Sequence, residues 1–76
     1  MKDLKKLREL ARITQIRLSL KAGVSRQRIQ LAETGQGELT VQEEQGLREV
    51  LLQEIQRQAQ AINQALDQEQ GEGVRV

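Results

Sequence analysis

Apolar residues recur along this chain at spacings of three and four and never alternate with period two over the length of a strand. That periodicity predicts helices throughout. Leu4, Leu7 and Ala11 mark a first helix over roughly residues 3–12. Thr14 is placed to cap a second, about 15–22, which carries Leu18 and Ala22 on one face. Gly23 follows where a left-handed residue ends a helix cheaply. Ser25 can cap a third helix, about 26–34, with Ile29 and Ala32 turned inward and Gly35 as its stop. After the loop Gly35-Gln36-Gly37-Glu38, Thr40-Val41-Gln42-Glu43 reads as a capping box, in which Thr and Glu satisfy each other's orphan amides.

From Val41 to Glu69 only Gly46 interrupts the helix formers. Leu47, Leu51, Ile55, Ala59, Ile62 and Leu66 advance by 4, 4, 4, 3 and 4, one face of a single long helix. Continuous, it would be about 40 Å long. The expected fold is all-α: a bundle of four to five helices with a long C-terminal helix. Residues 1–52 form the bundle, 53–70 a helical extension and 71–76 a disordered tail.

The chain has 76 residues, of which 37% are hydrophobic, and it holds no Cys, His, Pro or aromatic residue. So small a domain buries only about 60% of its extended-chain surface, and a partner subunit would help. The composition excludes disulfides, Cys/His zinc sites and His-dependent nucleophiles. It also excludes aromatic platforms for single-stranded bases. No apolar run reaches membrane-spanning length. Carboxylates such as Glu43, Glu44 and Glu49 lack any accompanying nucleophile or phosphate-binding loop and read as helix surface. The expectation is a cytoplasmic binding protein that is not an enzyme and uses no cofactor or metal.

Net charge is +1, but it is divided: residues 1–35 carry nine Lys/Arg against three acids, and residues 36–76 carry three against eight. A basic half beside an acidic half points to one surface for a polyanion and another kept away from it. Lys2, Lys5 and Lys6 can contact phosphates or simply solvate the surface.

Two short helices joined by Ala22-Gly23-Val24-Ser25 have helix-turn-helix spacing. Ser19 is small where the helices cross, Val24 fills the angle between them, and Ile29 anchors the third helix to the core. Arg26, Gln27, Arg28, Gln30 and Leu31 then cover that helix's outer side and ends. Arg reads guanine and Gln reads adenine through paired hydrogen bonds in the major groove.

The pattern Thr14-Gln15-x-x-Leu18-Ser19-x-x-Ala22-Gly23-Val24-Ser25-x-x-x-Ile29-x-x-x-Glu33-x-Gly35 resembles the helix-turn-helix of the phage repressor/Cro (XRE) family. The likeness extends to Leu7, Arg8 and Ile13 before it and to Leu39, Thr40, Leu47 and Leu51 after it. It implies a structural ion pair between Arg8 and Glu33, a phosphate contact at Gln15, and base contacts at Arg26 and Gln27. Arg28 and Gln30 can reach bases or flanking phosphates. Leu31, where the family often has a polar base reader, can contact a thymine methyl or be shielded by its neighbours. Arg17, Ser25 and the loop near Thr34 and Gln36 complete the expected phosphate clamp.

Ile16 and Leu20 depart from the family pattern, as does Leu10. They are expected to receive the long helix, or its counterpart from a second subunit, the alternative being that they only thicken the core. The stretch Ile55 to Leu66 has no evident partner within the chain, so Ile55, Ala59, Ile62 and Leu66 are expected to dimerise. The resulting expectation is a homodimeric, sequence-specific repressor of double-stranded DNA, bound to an inverted-repeat operator in a bacterial, phage or plasmid setting. No membrane and no small-molecule effector is expected. The alternative is an antitoxin or interaction module whose C-terminal helix binds a partner protein.

Overall fold

The computed structural model describes residues 1–75, with side chains through residue 68. Four helices follow in order: α1 (Leu4–Leu10), α2 (Gln15–Ala22), α3 (Arg26–Glu33) and α4 (Val41–Arg75). The described residues contain no strand, and no separate fifth helix breaks away from α4. The fold is all-α, as the periodicity predicts. The tail expected to be disordered over 71–76 is corrected as far as Arg75, where α4 ends; residue 76 lies outside the described residues.

The caps fall where the sequence places them. Thr14 Oγ1 accepts from the Arg17 amide at 3.1 Å, and Ser25 Oγ from the Arg28 amide at 3.3 Å. Gly23 lies in the left-handed region at φ 70° and closes α2. The capping box forms as well. The Thr40 amide donates to Glu43 Oε1 at 2.8 Å, and the Glu43 amide to Thr40 Oγ1 at 3.1 Å.

α1 is shorter than expected. It ends at Leu10 because Arg12 adopts φ 52°, a conformation usually left to Gly. The Ile13 amide then reaches back to the Arg8 carbonyl at 3.2 Å, and the Arg12 amide to the Glu9 carbonyl at 3.0 Å.

Leu4, Ala11, Ile13, Leu18, Val24, Ile29, Leu47 and Leu51 form the core. Every helix contributes at least one of these residues; α4 packs on α2 and α1, and α3 packs on α2 and α1. Its contacts with the bundle do not stop at residue 52. Ile55 is half-buried against the core. Glu54 is buried and accepts from Lys21 Nζ at 2.7 Å, with Arg57 at 2.7 Å on its other oxygen. The Gln58 amide donates to the Ala11 carbonyl. Lys21, followed by Arg57, holds the Glu54 carboxyl below its ordinary range. Ala61 and Ile62 still share a shallow cavity with Leu10 and Arg12, and the molecule is 56 Å long but only 19 Å across.

Two expectations about apolar residues are corrected. Ile16 and Leu20 do not receive α4: they are 53% and 79% exposed. Leu18 is buried and Lys21 is fastened to Glu54, so the α2 face toward α4 is already occupied. Ile16 and Leu20 lie on the opposite side. Nor does the stretch from Ile55 onward wholly lack an intrachain partner, because Ile55 itself packs on the core.

Candidate nucleic-acid interface

The start of α3 is set by three local choices in sequence. Gly23 permits the turn, Val24 is buried in the angle between the helices, and the Ser25 cap fixes where α3 begins. With Ile29 fully buried, Arg26, Gln27 and Gln30 are left exposed on the outer side of the helix.

Behind this face lies a connected polar chain. Arg8 Nε donates to Glu33 Oε2 at 2.7 Å and a terminal guanidinium nitrogen to Glu33 Oε1 at 3.2 Å. The other terminal nitrogen donates to the Ile13 carbonyl at 3.1 Å. The Glu33 side chain is only 4% exposed, and removing its Arg8 partner would be strongly destabilising. Its hydrogen bond to Glu33 raises the Arg8 pKa above the usual guanidinium value.

Gln15 extends the chain outward. Its Nε2 donates to Glu33 Oε1 at 3.1 Å, and its Oε1 accepts from Arg26 Nε at 3.4 Å. One amide thus links the buried pair to an exposed guanidinium. The open concavity here, about 620 Å³, is lined by Lys5, Gln15, Ile16, Arg26, Gln30 and Thr34 among others. Of the three N-terminal lysines named from sequence, Lys5, one turn before Arg8 on α1, lines this spot.

Arg28 points elsewhere. Its Nε donates to Glu43 Oε2 at 2.6 Å, and a terminal nitrogen donates to Glu43 Oε1 at 2.7 Å and to the Glu38 carbonyl at 3.1 Å. α3 is thereby fastened to the first turn of α4. Arg28, followed by the Thr40 amide, lowers the Glu43 carboxyl to about 2.

The remaining expected residues divide by what their polar groups already do. The Ser25 hydroxyl oxygen caps α3, and Arg17 is exposed beside Thr14. Thr34 Oγ1 donates to the Gln30 or Leu31 carbonyl, at 3.1 and 3.2 Å. The amides of Thr34, Gly35, Gln36 and Gly37 all return to carbonyls of α3. These amides close the helix end and are not a free anion nest; the exposed Gln36 side chain is what the loop offers. Leu31 is half-buried, with Gly37 packed so closely that a Cβ there would meet Leu31 Cβ at 3.0 Å. Shielding by neighbours is therefore the outcome for Leu31 in the free chain.

Of the expected dimerisation residues, Ile55 is partly covered, while Ala59, Ile62 and Leu66 are exposed. Leu52 was absent from the expected set, yet it is 59% exposed and lies beside them. Among the described residues, no helix is long and apolar enough to cross a membrane. No cluster of them could hold a metal ion.

Comparison with known proteins gives a helix-turn-helix family model matching residues 4–43. No curated protein and no solved structure matches the chain. The matched span runs from the first core leucine of α1 to the glutamate that receives Arg28, taking in both helices of the turn. The chain belongs to the helix-turn-helix family, of the Cro/XRE type of DNA-binding transcription regulators.

Proposed function

We propose that this protein is a homodimeric repressor that binds an inverted-repeat operator in double-stranded DNA. The observation that carries the reading is the exposed row Arg26, Gln27 and Gln30 on α3, beside the N-terminus of α2. Arg26 would pair with a guanine edge and the two glutamines with adenine edges. Gln15, Arg17 and Ser25 flank this row and would meet phosphates, with Lys5 on the neighbouring helix. Thr34 would contribute through its position at the end of α3, and Gln36 through its side chain. Arg28 serves chiefly to hold α3 against α4, and Leu31 reaches a thymine methyl only where the groove wall comes close.

Ala59, Ile62 and Leu66, with the edge of Ile55, would join two copies. A two-fold dimer reads half-sites about one helical turn apart. Occlusion of a promoter is the simplest mechanism for such a chain, acting in the cytoplasm of a bacterial host or on a phage or plasmid replicon.

Selection of bound duplexes from a randomised pool tests this reading. Enrichment of an inverted repeat supports the symmetric repressor. Retention with no enriched sequence overturns base reading, and no retention at low salt overturns DNA binding itself. The last result would favour the second reading, an antitoxin-like module whose exposed α4 stripe binds a different protein.

A further inference from the structure

The exposed apolar residues of α4 have a register that becomes visible only once the core is known. Leu47 and Leu51 are 0% and 1% exposed and belong to the bundle. Without them, the apolar positions left on the face carrying Ile62 are Leu52, Ile55, Ala59, Ile62 and Leu66, spaced 3, 4, 3 and 4. That is the heptad spacing of a two-helix seam. It extends over 14 residue rises, about 21 Å. Leu52, Ile62 and Leu66 are 59%, 61% and 50% exposed, more apolar surface than a small monomer usually shows in one row.

The flanks of the stripe say which partner fits. In heptad terms the residues beside the seam are Gln56, Gln58, Asn63 and Ala65, none of them charged. A second copy therefore brings no like charge against the first, and a strongly charged foreign helix would find nothing to pair with. The ends of the stripe differ in sign. Arg48 precedes Leu52 in the same register, and Lys2 and Asp3 lie with it at the same groove, which leaves that end with one net positive charge. Asp67 follows Leu66.

We propose that two copies pair through this stripe with their α4 helices antiparallel, the α1 end of one against the far end of the other. This deepens the homodimer reading and rests on it. A parallel pair would set Arg48 against the partner's Arg48 and bring the lysines of the two α1 helices together. The antiparallel pair brings Arg48 toward the partner's Asp67 and opposes the two helix dipoles. It also fills a groove of about 310 Å³ between α1 and α4, lined by Met1, Leu7, Leu52 and Ile55. The apolar residues available to enter it are the partner's Ile62 and the partner's Leu66.

The test uses the full chain, which has no cysteine of its own. Gln68→Cys, at an exposed position outside the stripe, carries a nitroxide label, and the distance between labels is read by pulsed dipolar spectroscopy. Antiparallel pairing centred near Ala59 places the labels about 30 Å apart, and parallel pairing brings them within about 20 Å. A distance near 30 Å supports the proposal. A short distance overturns the orientation and leaves the homodimer standing. Absence of dipolar coupling overturns both, while affinity for a selected duplex reports independently on DNA reading. In the labelled background, Ile62→Asp should abolish the coupling without changing the helical circular dichroism, since Ile62 lies outside the core. Coupling that survives this substitution would remove the stripe from the interface.

Discussion

Arg28 and Glu43 are fifteen residues apart in sequence and meet in a two-pronged ion pair, with distances of 2.6 and 2.7 Å. The pair joins the first turn of α3 to the first turn of α4. Glu43 is also half of the capping box, so one carboxylate both starts α4 and fixes how α3 lies against it.

This pair gives stability a direction with pH. The Glu43 carboxyl is lowered from 4.5 to about 2 in the folded chain. Its contribution is complete above the unfolded value and is lost as pH falls through the folded one. The thermal midpoint, followed by circular dichroism, should decline as pH drops from about 4.5 toward 2. Glu43→Gln should start lower at neutral pH and decline less across the same window. Equal slopes in the two proteins would detach Glu43 from the acid response.

On the outer face of α3, Arg26→Ala and Gln27→Ala should each cost about 1–3 kcal/mol on the selected duplex. Affinity for unrelated duplexes should change much less, which relaxes specificity at the base concerned. Arg28→Ala should act differently, lowering the thermal midpoint and weakening all duplexes to a similar extent. A binding titration of each variant on cognate and scrambled DNA separates the two patterns.

The length of α4 that the bundle needs is also measurable. Ending the chain after Leu52 removes Glu54, Ile55 and Gln58, all of which touch the bundle, and should leave a poorly folded product. Ending it after Gln60 keeps these contacts and should give a folded monomer with weakened operator binding. Sedimentation together with circular dichroism on both truncations checks the difference. A full-strength dimer from the longer truncation would sink the role of Ile62 and Leu66.

Gly46 offers a gain. A Cβ there would sit 3.5 Å from the Ala22 carbonyl oxygen, an ordinary contact. Gly46→Ala should therefore stabilise the fold by about 1 kcal/mol through helix propensity alone. Chemical denaturation would measure it, and a loss in its place would mean that α2 and α4 approach more tightly than this distance implies.

Much of the bundle is legible from single residues because local chemistry fixes it. Thr14, Ser25 and the Thr40–Glu43 box start helices, Gly23 and Gly35 end them, and Ile29 and Leu47 turn inward by period. The end of α1 was not legible, since an Arg stands at the left-handed position where Gly is the usual signal. The Arg28–Glu43 pair was not legible for another reason. The exposure of Arg28 along α3 is a property of one helix, whereas its pairing with Glu43 depends on how two helices cross. Leu52 was hidden by an ambiguity of period. A run of fours through Leu51 and the 3-4-3-4 row through Leu52 coexist in the same residues, and only burial of Leu51 tells them apart.

Because α4 is one uninterrupted helix, the bundle and the free stripe share a common angular phase. One residue inserted between Gln58 and Ala59 would swing Ala59, Ile62 and Leu66 by about 100° relative to α3. Seven residues would restore the facing to within about 20° and lengthen the rod by about 10 Å. In a dimer joined through the stripe, the spacing between bundles would then change only in steps of whole helical repeats, a mechanical quantum set by the rod.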